Sequence, residues 1–469
     1  MDTNIATGTP PQGIVTSQGS HQPEAKLGLF DAVSIIVGII IGVGIFETPP
    51  KIFEQVSHPG LALLVWVLGG ALALVGALCF AELASAYPRS GGEYVYLTRA
   101  FGPLTGFLFA WSQLTVTRSG SVAALAYIFG SRAARLFDYD SNSVFFLAGL
   151  ALGLLTLINI LGVRMGTRTQ NVLTVAKVLG LGGLIVVGLG WGRSEIAAPV
   201  EPATRESGWF AGAMILILWT YSGWHEAAYI VAEAKNRTRN IPLALILGTA
   251  IVTIIYLLVN LAYLVGLNFD DAKTSIAAER LISLAWPGYG ARVMDVFIMI
   301  SALGAMNGMI FTTARIYTEF GRDHRIFKVL SHWSKRMHTP VRALSVQGLI
   351  CLVFIAGVWL MEGAMDAFEA AVTLTAAVFW MFFCLTGIAL LVLRAKDPDT
   401  PRPFRVPGYP IVPLIFCAWC AYMVVGTVLY EPSKSLIGLA ILCAGLPFYF
   451  LPQKLRRTQR VDDLQPVGK

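Results

Sequence analysis

Charge is what this 469-residue chain lacks most. Asp, Glu, Lys and Arg make up 13% of it against 55% hydrophobic residues, and the mean hydropathy is +0.66. Soluble domains carry about 25% charged residues, so a solvated globular surface is excluded and a multi-span protein in a lipid bilayer is expected. Loop cysteines are missing as well. Cys79, Cys351, Cys384, Cys417, Cys420 and Cys443 all fall inside apolar runs, which leaves no loop pair for a disulfide or a zinc site and makes them small core hydrophobes. Residues 1–25, rich in Thr, Gln, Gly and Ser, hold no Lys or Arg; they lack both parts of a signal peptide and read as a disordered cytosolic tail. No HExxH, GxSxG or phosphate-binding glycine loop occurs, so an enzyme is not expected. His324, His332 and His338 sit at irregular spacing without cysteine partners, so neither a metal nor a cofactor is expected. The tails are too short to add a soluble sensor domain.

What is present is a series of apolar runs. A spanning helix needs about 20 apolar residues, and twelve runs meet that measure, near 29–55, 60–87, 100–130, 143–163, 170–192, 209–233, 241–267, 290–320, 343–361, 366–394, 410–430 and 432–451. The expected domains are the tail 1–25, a twelve-span unit 26–452 and a basic cytosolic tail 453–469. If the N-terminus is cytosolic, the loops on that side carry 23 Lys and Arg and the opposite loops 9. Basic residues stay on the cytoplasmic side, so both termini are expected in the cytosol of a plasma-membrane protein, an inner-membrane protein in a bacterium. The net charge of +7 then follows from topology, and no nucleic-acid partner is needed.

One apolar stretch is no ordinary membrane helix. Gly38 to Phe46 holds glycines at 38, 42 and 44 and runs into Thr48-Pro49-Pro50. Glycines let the backbone leave helical dihedrals, and prolines cannot continue the amide ladder. A broken helix is expected. Irregular backbone survives at membrane depth only where it lines a cavity or is buried in protein, and freed amides at a half-helix start suit a carboxylate. Five spans later, Trp219-Thr220-Tyr221-Ser222-Gly223-Trp224-His225-Glu226 interrupts an apolar run in the same way. Paired interruptions in corresponding halves point to a midplane site. Five spans, five inverted spans and two more is the simplest all-α architecture, and opposed half-helices would offer amide donors and carbonyl acceptors. A free amino acid carries the matching carboxylate and ammonium.

An ordered series of short pieces resembles the amino acid/polyamine/organocation superfamily, in its L-type amino acid transporter branch. They are Gly42-Val43-Gly44-Ile45-Phe46, Phe80-Ala81-Glu82-Leu83-Ala84, Tyr87-Pro88-Arg89-Ser90-Gly91-Gly92-Glu93-Tyr94, Tyr221-Ser222-Gly223-Trp224, Arg239-Asn240-Ile241-Pro242, Asn307-Gly308 with Thr312, Thr313 and Arg315, and Arg402-Pro403-Phe404-Arg405-Val406-Pro407. The resemblance implies a LeuT-like fold with discontinuous first and sixth spans. It places a substrate carboxylate near Ile41, Gly42, Val43 and Gly44, and an ammonium near Trp219, Thr220, Tyr221 and Ser222. Trp219 becomes a gate and Trp380 a pocket wall or plain packing. Departures are Val43, where relatives carry serine, His225, where they carry asparagine, and Glu47 in a run that is normally apolar.

Charged residues inside spans are costly and mark function. Lys177 lies about 15 Å in from Arg168 at helical rise, and the resemblance puts it where sodium-coupled cousins hold an ion, which implies sodium independence. Arg118 and Glu226 lie at similar depth. Either they pair, leaving the substrate neutral, or Arg118 meets an acidic substrate; the pair is preferred because two unpaired charges cost more than one bridge. His225 is read as a proton-linked switch or a hydrogen-bonded structural histidine. Glu82, Arg89 and Glu93 are assigned no substrate role. The function expected is secondary transport by exchange of neutral amino acids, with proton-coupled amino acid or polyamine symport, or acidic amino acid exchange on Arg118, as alternatives. The loop 131–143 contains no cysteine, from which no disulfide-linked accessory subunit is expected.

Overall fold

A computed structural model describes residues 26–56, 58–192 and 209–451; the expected tails 1–25 and 453–469 lie outside the described residues. Within them every regular element is a helix, apart from two isolated bridges, Leu27 with Ala234 and Ser334 with Thr339.

Eight helices are long and apolar enough to cross a membrane: Pro59–Ala86, Ser143–Ile160, Val163–Trp191, Arg237–Gly266, Gly290–Asp323, Leu374–Lys396, Ile411–Tyr430 and Pro432–Leu451. Leu29–Ile40 and Gly44–Gln55, bent by 44°, form one more crossing. Three others miss the measure for visible reasons. Pro103–Ser112 and Arg118–Leu136 are joined through a π-helical turn, Gln113–Thr117. Trp209–Thr220 gives way to a turn and the 3₁₀ segment Trp224–Glu233. Val341–Gly357 is short by itself. Taken in chain order these supply the twelve spans read from the sequence.

One boundary differs. The sequence reading ends span nine at 361 and starts span ten at 366, whereas the helix Val341–Lys396 runs unbroken for 56 residues. A hydrocarbon core of about 30 Å takes about 20 residues of helix, so these 56 residues supply two crossings, within Val341–Gly357 and Leu374–Lys396. The intervening Met361-Glu-Gly-Ala-Met-Asp366 offers one glycine and no proline among good helix formers, so nothing local ends the helix.

Spans one to four each pair with the span five places later. Thr253 of span seven fills the space over Gly70 of span two, and Trp66 packs edge-on against Tyr256. The Tyr317 hydroxyl of span eight donates to Gln113 O of span three at 3.0 Å, and span nine brings Trp359 against Phe145 of span four. Spans one and six meet at their breaks: a Cβ on Gly223 would lie 2.5 Å from Ile39 Cγ2. This is the all-α LeuT-type architecture of two five-span repeats followed by two further helices. Span eight is the central element, with 67% of its apolar window buried, and span twelve is peripheral at 22%. Span four turns Phe146, Leu150, Leu154 and Leu157 outward, a helical stripe suited to lipid chains.

Candidate functional site

The first break is made by glycine. The Gly42 N–H turns back to Ile40 O at 2.6 Å and the next helix begins at Gly44. Pro49 and Pro50 do not close it, contrary to the sequence reading; they sit inside Gly44–Gln55. Proline needs no N–H donor in a first turn and here follows close behind one. The break exposes carbonyls that the helix no longer satisfies, and single polar side chains from three other spans cover them. Lys177 Nζ of span five donates to Gly38 O and Ile41 O, both at 2.7 Å. Ser301 Oγ of span eight lies 2.8 Å from Gly42 O, and the Tyr256 hydroxyl of span seven lies 2.7 Å from Ile40 O and 3.2 Å from Thr220 O. Tyr256 thereby ties the two breaks together. Lys177 is 4% exposed, and Gly304 opposite leaves room for it, since a Cβ there would stand 2.5 Å from Lys177 Cε.

The second break turns at Gly223, whose φ of +108° lies in the left-handed region that favours glycine. Ser222 N–H donates to Trp219 O at 3.0 Å. The breaks approach closely: Thr48 and Thr220 hydroxyls are 2.9 Å apart, and a Cβ on Gly44 would lie 2.7 Å from Thr220 Oγ1 and 3.0 Å from the Trp219 ring.

Between them lies a small cavity of about 30 Å³. Of the residues expected at the site, Gly42, Val43, Gly44, Trp219, Thr220 and Ser222 line it. Ile41 instead contributes its carbonyl to Lys177. Tyr221 packs its ring on Trp66 and Tyr256. Trp380 lines a neighbouring small cavity with Phe379 and Trp419, which shares Ser222. The sequence reading missed Ser121 and Leu125 of span three and Ala305 and Met309 of span eight, all on the wall. Ser121 falls one helical turn past Arg118, and Ala305 and Met309 are one turn apart beside Asn307-Gly308, so helical spacing was the available signal. No charged side chain is among the lining residues.

The charges lie just beyond it. Arg118 Nη1 donates to Glu226 Oε1 at 2.6 Å, with the two side chains 5% and 0% exposed, and Thr312 donates to the other carboxylate oxygen. The π turn immediately before Arg118 inserts an extra residue and aims it inward, a device frequent at functional sites. His225 stacks edge-on against Phe383, with Nε2 3.8 Å from Glu93 Oε1.

The sequence is similar to known proteins along nearly its whole length. The family described as amino acid permease matches residues 27–444. The b(0,+)-type amino acid transporter 1 of Mus musculus is 32% identical over 443 residues, covering 91% of this chain and 88% of its own length. The large neutral amino acids transporter small subunit 2 of Mus musculus is 31% identical over 455 residues, covering 94% and 84%. That second relative is by name a subunit of an assembly, which overturns the expectation of no disulfide-linked accessory subunit. The missing cysteine in 131–143 bears on one attachment point and excludes no assembly. With two breaks facing each other across a small cavity and a match from residue 27 to residue 444, the chain belongs to the amino acid permease family.

Proposed function

We propose that the protein exchanges neutral L-amino acids across the plasma membrane by alternating access, without sodium, with its basic loops and both termini in the cytosol. The observation that carries this reading is the cavity wall: the amide-bearing start of a half-helix at Val43 and Gly44 faces the Trp219–Ser222 turn, and no charged side chain lines the space. First-turn amides have no partner inside their own helix and favour a carboxylate. On the facing side the half-helix Trp209–Thr220 ends, and carbonyls at such an end are acceptors of the kind an ammonium needs. The substrate side chain then meets Trp219, Leu125 and Met309. Arg118 spends its charge on Glu226, which supports a neutral side chain, as do the relatives named for b(0,+)-type and large neutral amino acid transport. Lys177 places a fixed ammonium against the break carbonyls, which supports sodium independence.

Vesicles from cells expressing the chain test it, loaded or not with amino acid and offered a labelled panel. Uptake of neutral amino acids that requires internal amino acid and persists with choline in place of sodium is expected. Gly44→Leu, which fills the gap against Thr220 and Trp219, should insert normally and lose uptake at least about tenfold, the equivalent of about 1.4 kcal/mol. Uptake that needs sodium, or wild-type uptake by Gly44→Leu, refutes the site.

A further inference from the structure

Glu93 is a carboxyl buried without a counter-charge of its own. It opens the short helix Glu93–Phe101 between spans two and three and is 1% exposed. The Tyr229 hydroxyl donates to its Oε1 at 3.0 Å. Its Oε2 has no hydrogen-bond partner, and neither has Nδ1 of His225, whose Nε2 is 3.8 Å from Oε1. The groups around it leave it unbalanced. Segment Trp224–Glu233 presents His225, Glu226 and Tyr229; span three presents Arg118, already bonded to Glu226; its own helix presents Tyr96. Span eight adds Tyr317 beside Arg118. Spans two and ten present Phe80, Phe379 and Phe383 to the His225 side. An ionised carboxylate here is costly, and a proton is the ligand that removes the cost.

Water lies close by. A cavity of about 760 Å³ opens at the basic end, bordered by Arg89, Ser90, Tyr94, Ala232 and Glu319. Glu93 belongs to the stretch Ser90–Tyr94, whose two ends border that cavity, and the stretch is docked on the span-six segment: Gly91 N–H donates to Tyr229 O at 3.3 Å, Ala232 N–H donates to Ser90 Oγ at 3.4 Å, and a Cβ on Gly92 would stand 2.5 Å from the Tyr229 ring.

We propose that Glu93, flanked by His225 and Tyr229, is a proton-binding site whose occupation is required for the basic end to close. The proton enters from the large cavity as Ser90–Tyr94 docks on Trp224–Glu233 and leaves by the same route as they part. Glu93 is outside the substrate cavity; the proposal rests on the transport reading only for its rate consequence. Burial pushes the carboxyl up to about 8, and the Tyr229 hydrogen bond works against that rise. Below that pH the site is filled and closure is permitted; above it closure is opposed.

Two measurements test this. In vesicles held at fixed external pH, exchange should slow as internal pH rises through about 8, Glu93→Gln should flatten that dependence, and Tyr229→Phe should move it to higher pH. Infrared titration of the protein in detergent reads the site without any substrate: a protonated-carboxyl band that disappears over the same range should be missing from Glu93→Gln. If Glu93→Gln misfolds, the Tyr229→Phe shift decides. A band that titrates identically in wild type and variants overturns the proton site. A titrating band with exchange indifferent to internal pH overturns its link to closure. If no substrate exchanges at all, the transport reading fails while the infrared result still stands or falls alone.

Discussion

A guanidinium and a carboxylate 2.6 Å apart, both almost wholly buried, behave differently from a surface pair. Breaking a buried pair by removing one partner costs about 3–5 kcal/mol, because the other charge is stranded. Arg118→Ala strands Glu226, which keeps only the Thr312 hydroxyl; Glu226→Gln strands Arg118, whose Nε already lacks a partner. Each single variant should therefore lower thermal stability and exchange of every substrate alike. The double variant, with no charge left to strand, should lose less than the sum of the two. Fluorescence melting and uptake across the amino acid panel read both effects. Additive losses, or uptake of glutamate or aspartate that only Arg118→Ala destroys, would make the arginine a substrate ligand. Depth in the span and the cost of lone charges pointed to this pair from the sequence. The Thr312 contact had no such signal, since a threonine hydroxyl is equally served by its own helix carbonyl.

At the level of elements, the proposed site rests on two helices that stop in the middle of the protein and on how closely they approach. Gly223 carries the tightest demand, combining a φ of +108° with a Cβ position 2.5 Å from Ile39. Gly223→Ala should cost about 1–2 kcal/mol for the left-handed backbone alone and add the overlap with Ile39. A lowered melting temperature together with lost exchange is expected, whereas a variant that melts and transports like wild type would mean the break is not held in this form. Which elements exist was legible in the chain, because apolar length and glycine placement act locally. The partners of the break were not. Tyr256, Ser301 and Gly304 are ordinary members of apolar runs; folding brings the first two to carbonyls more than 200 positions away in sequence and sets Gly304 against the Lys177 side chain. The π turn at Gln113–Thr117 was hidden for a related reason: its sequence, QLTVT, carries no breaker, and the extra residue is accommodated through tertiary bonds such as Tyr317 to Gln113 O.

Taken whole, the described residues leave only a cavity of about 30 Å³ between the two breaks, so an amino acid can be taken up there only if the spans around it move. The two ends are fastened unequally. At the basic end, Arg315 grips Glu233 through two bonds of 2.7 and 3.0 Å with both side chains 1–2% exposed, and the Lys26 and Leu27 N–H groups donate to Glu233 O at 2.9 Å. At the opposite end, half-helix Gly44–Gln55 is held to span three by Glu47 and Arg132, which are 29% and 18% exposed; Arg135 meanwhile bonds Asp295 and Glu279. Partly solvated pairs contribute about 0–1 kcal/mol, against about 3–5 for stranding a buried charge. The Glu47–Arg132 contact is thus expected to be cheaper to break than Arg315–Glu233, and Glu47, unexpected in an apolar run, is expected to act as a latch beside the Arg135–Asp295 pair. Glu47→Gln should shift the protein toward an outward-open form by up to about fivefold, the equivalent of about 1 kcal/mol. A cysteine placed at Ser121, on the cavity wall, reports this through its rate of modification by an impermeant maleimide added outside, with the unsubstituted chain as background. Faster modification in Glu47→Gln, and likewise in Arg132→Gln, is the expected result. An unchanged or slower rate would show that the half-helix is held by its packing on Thr220 and Trp219, and that the ion pair has no part in gating.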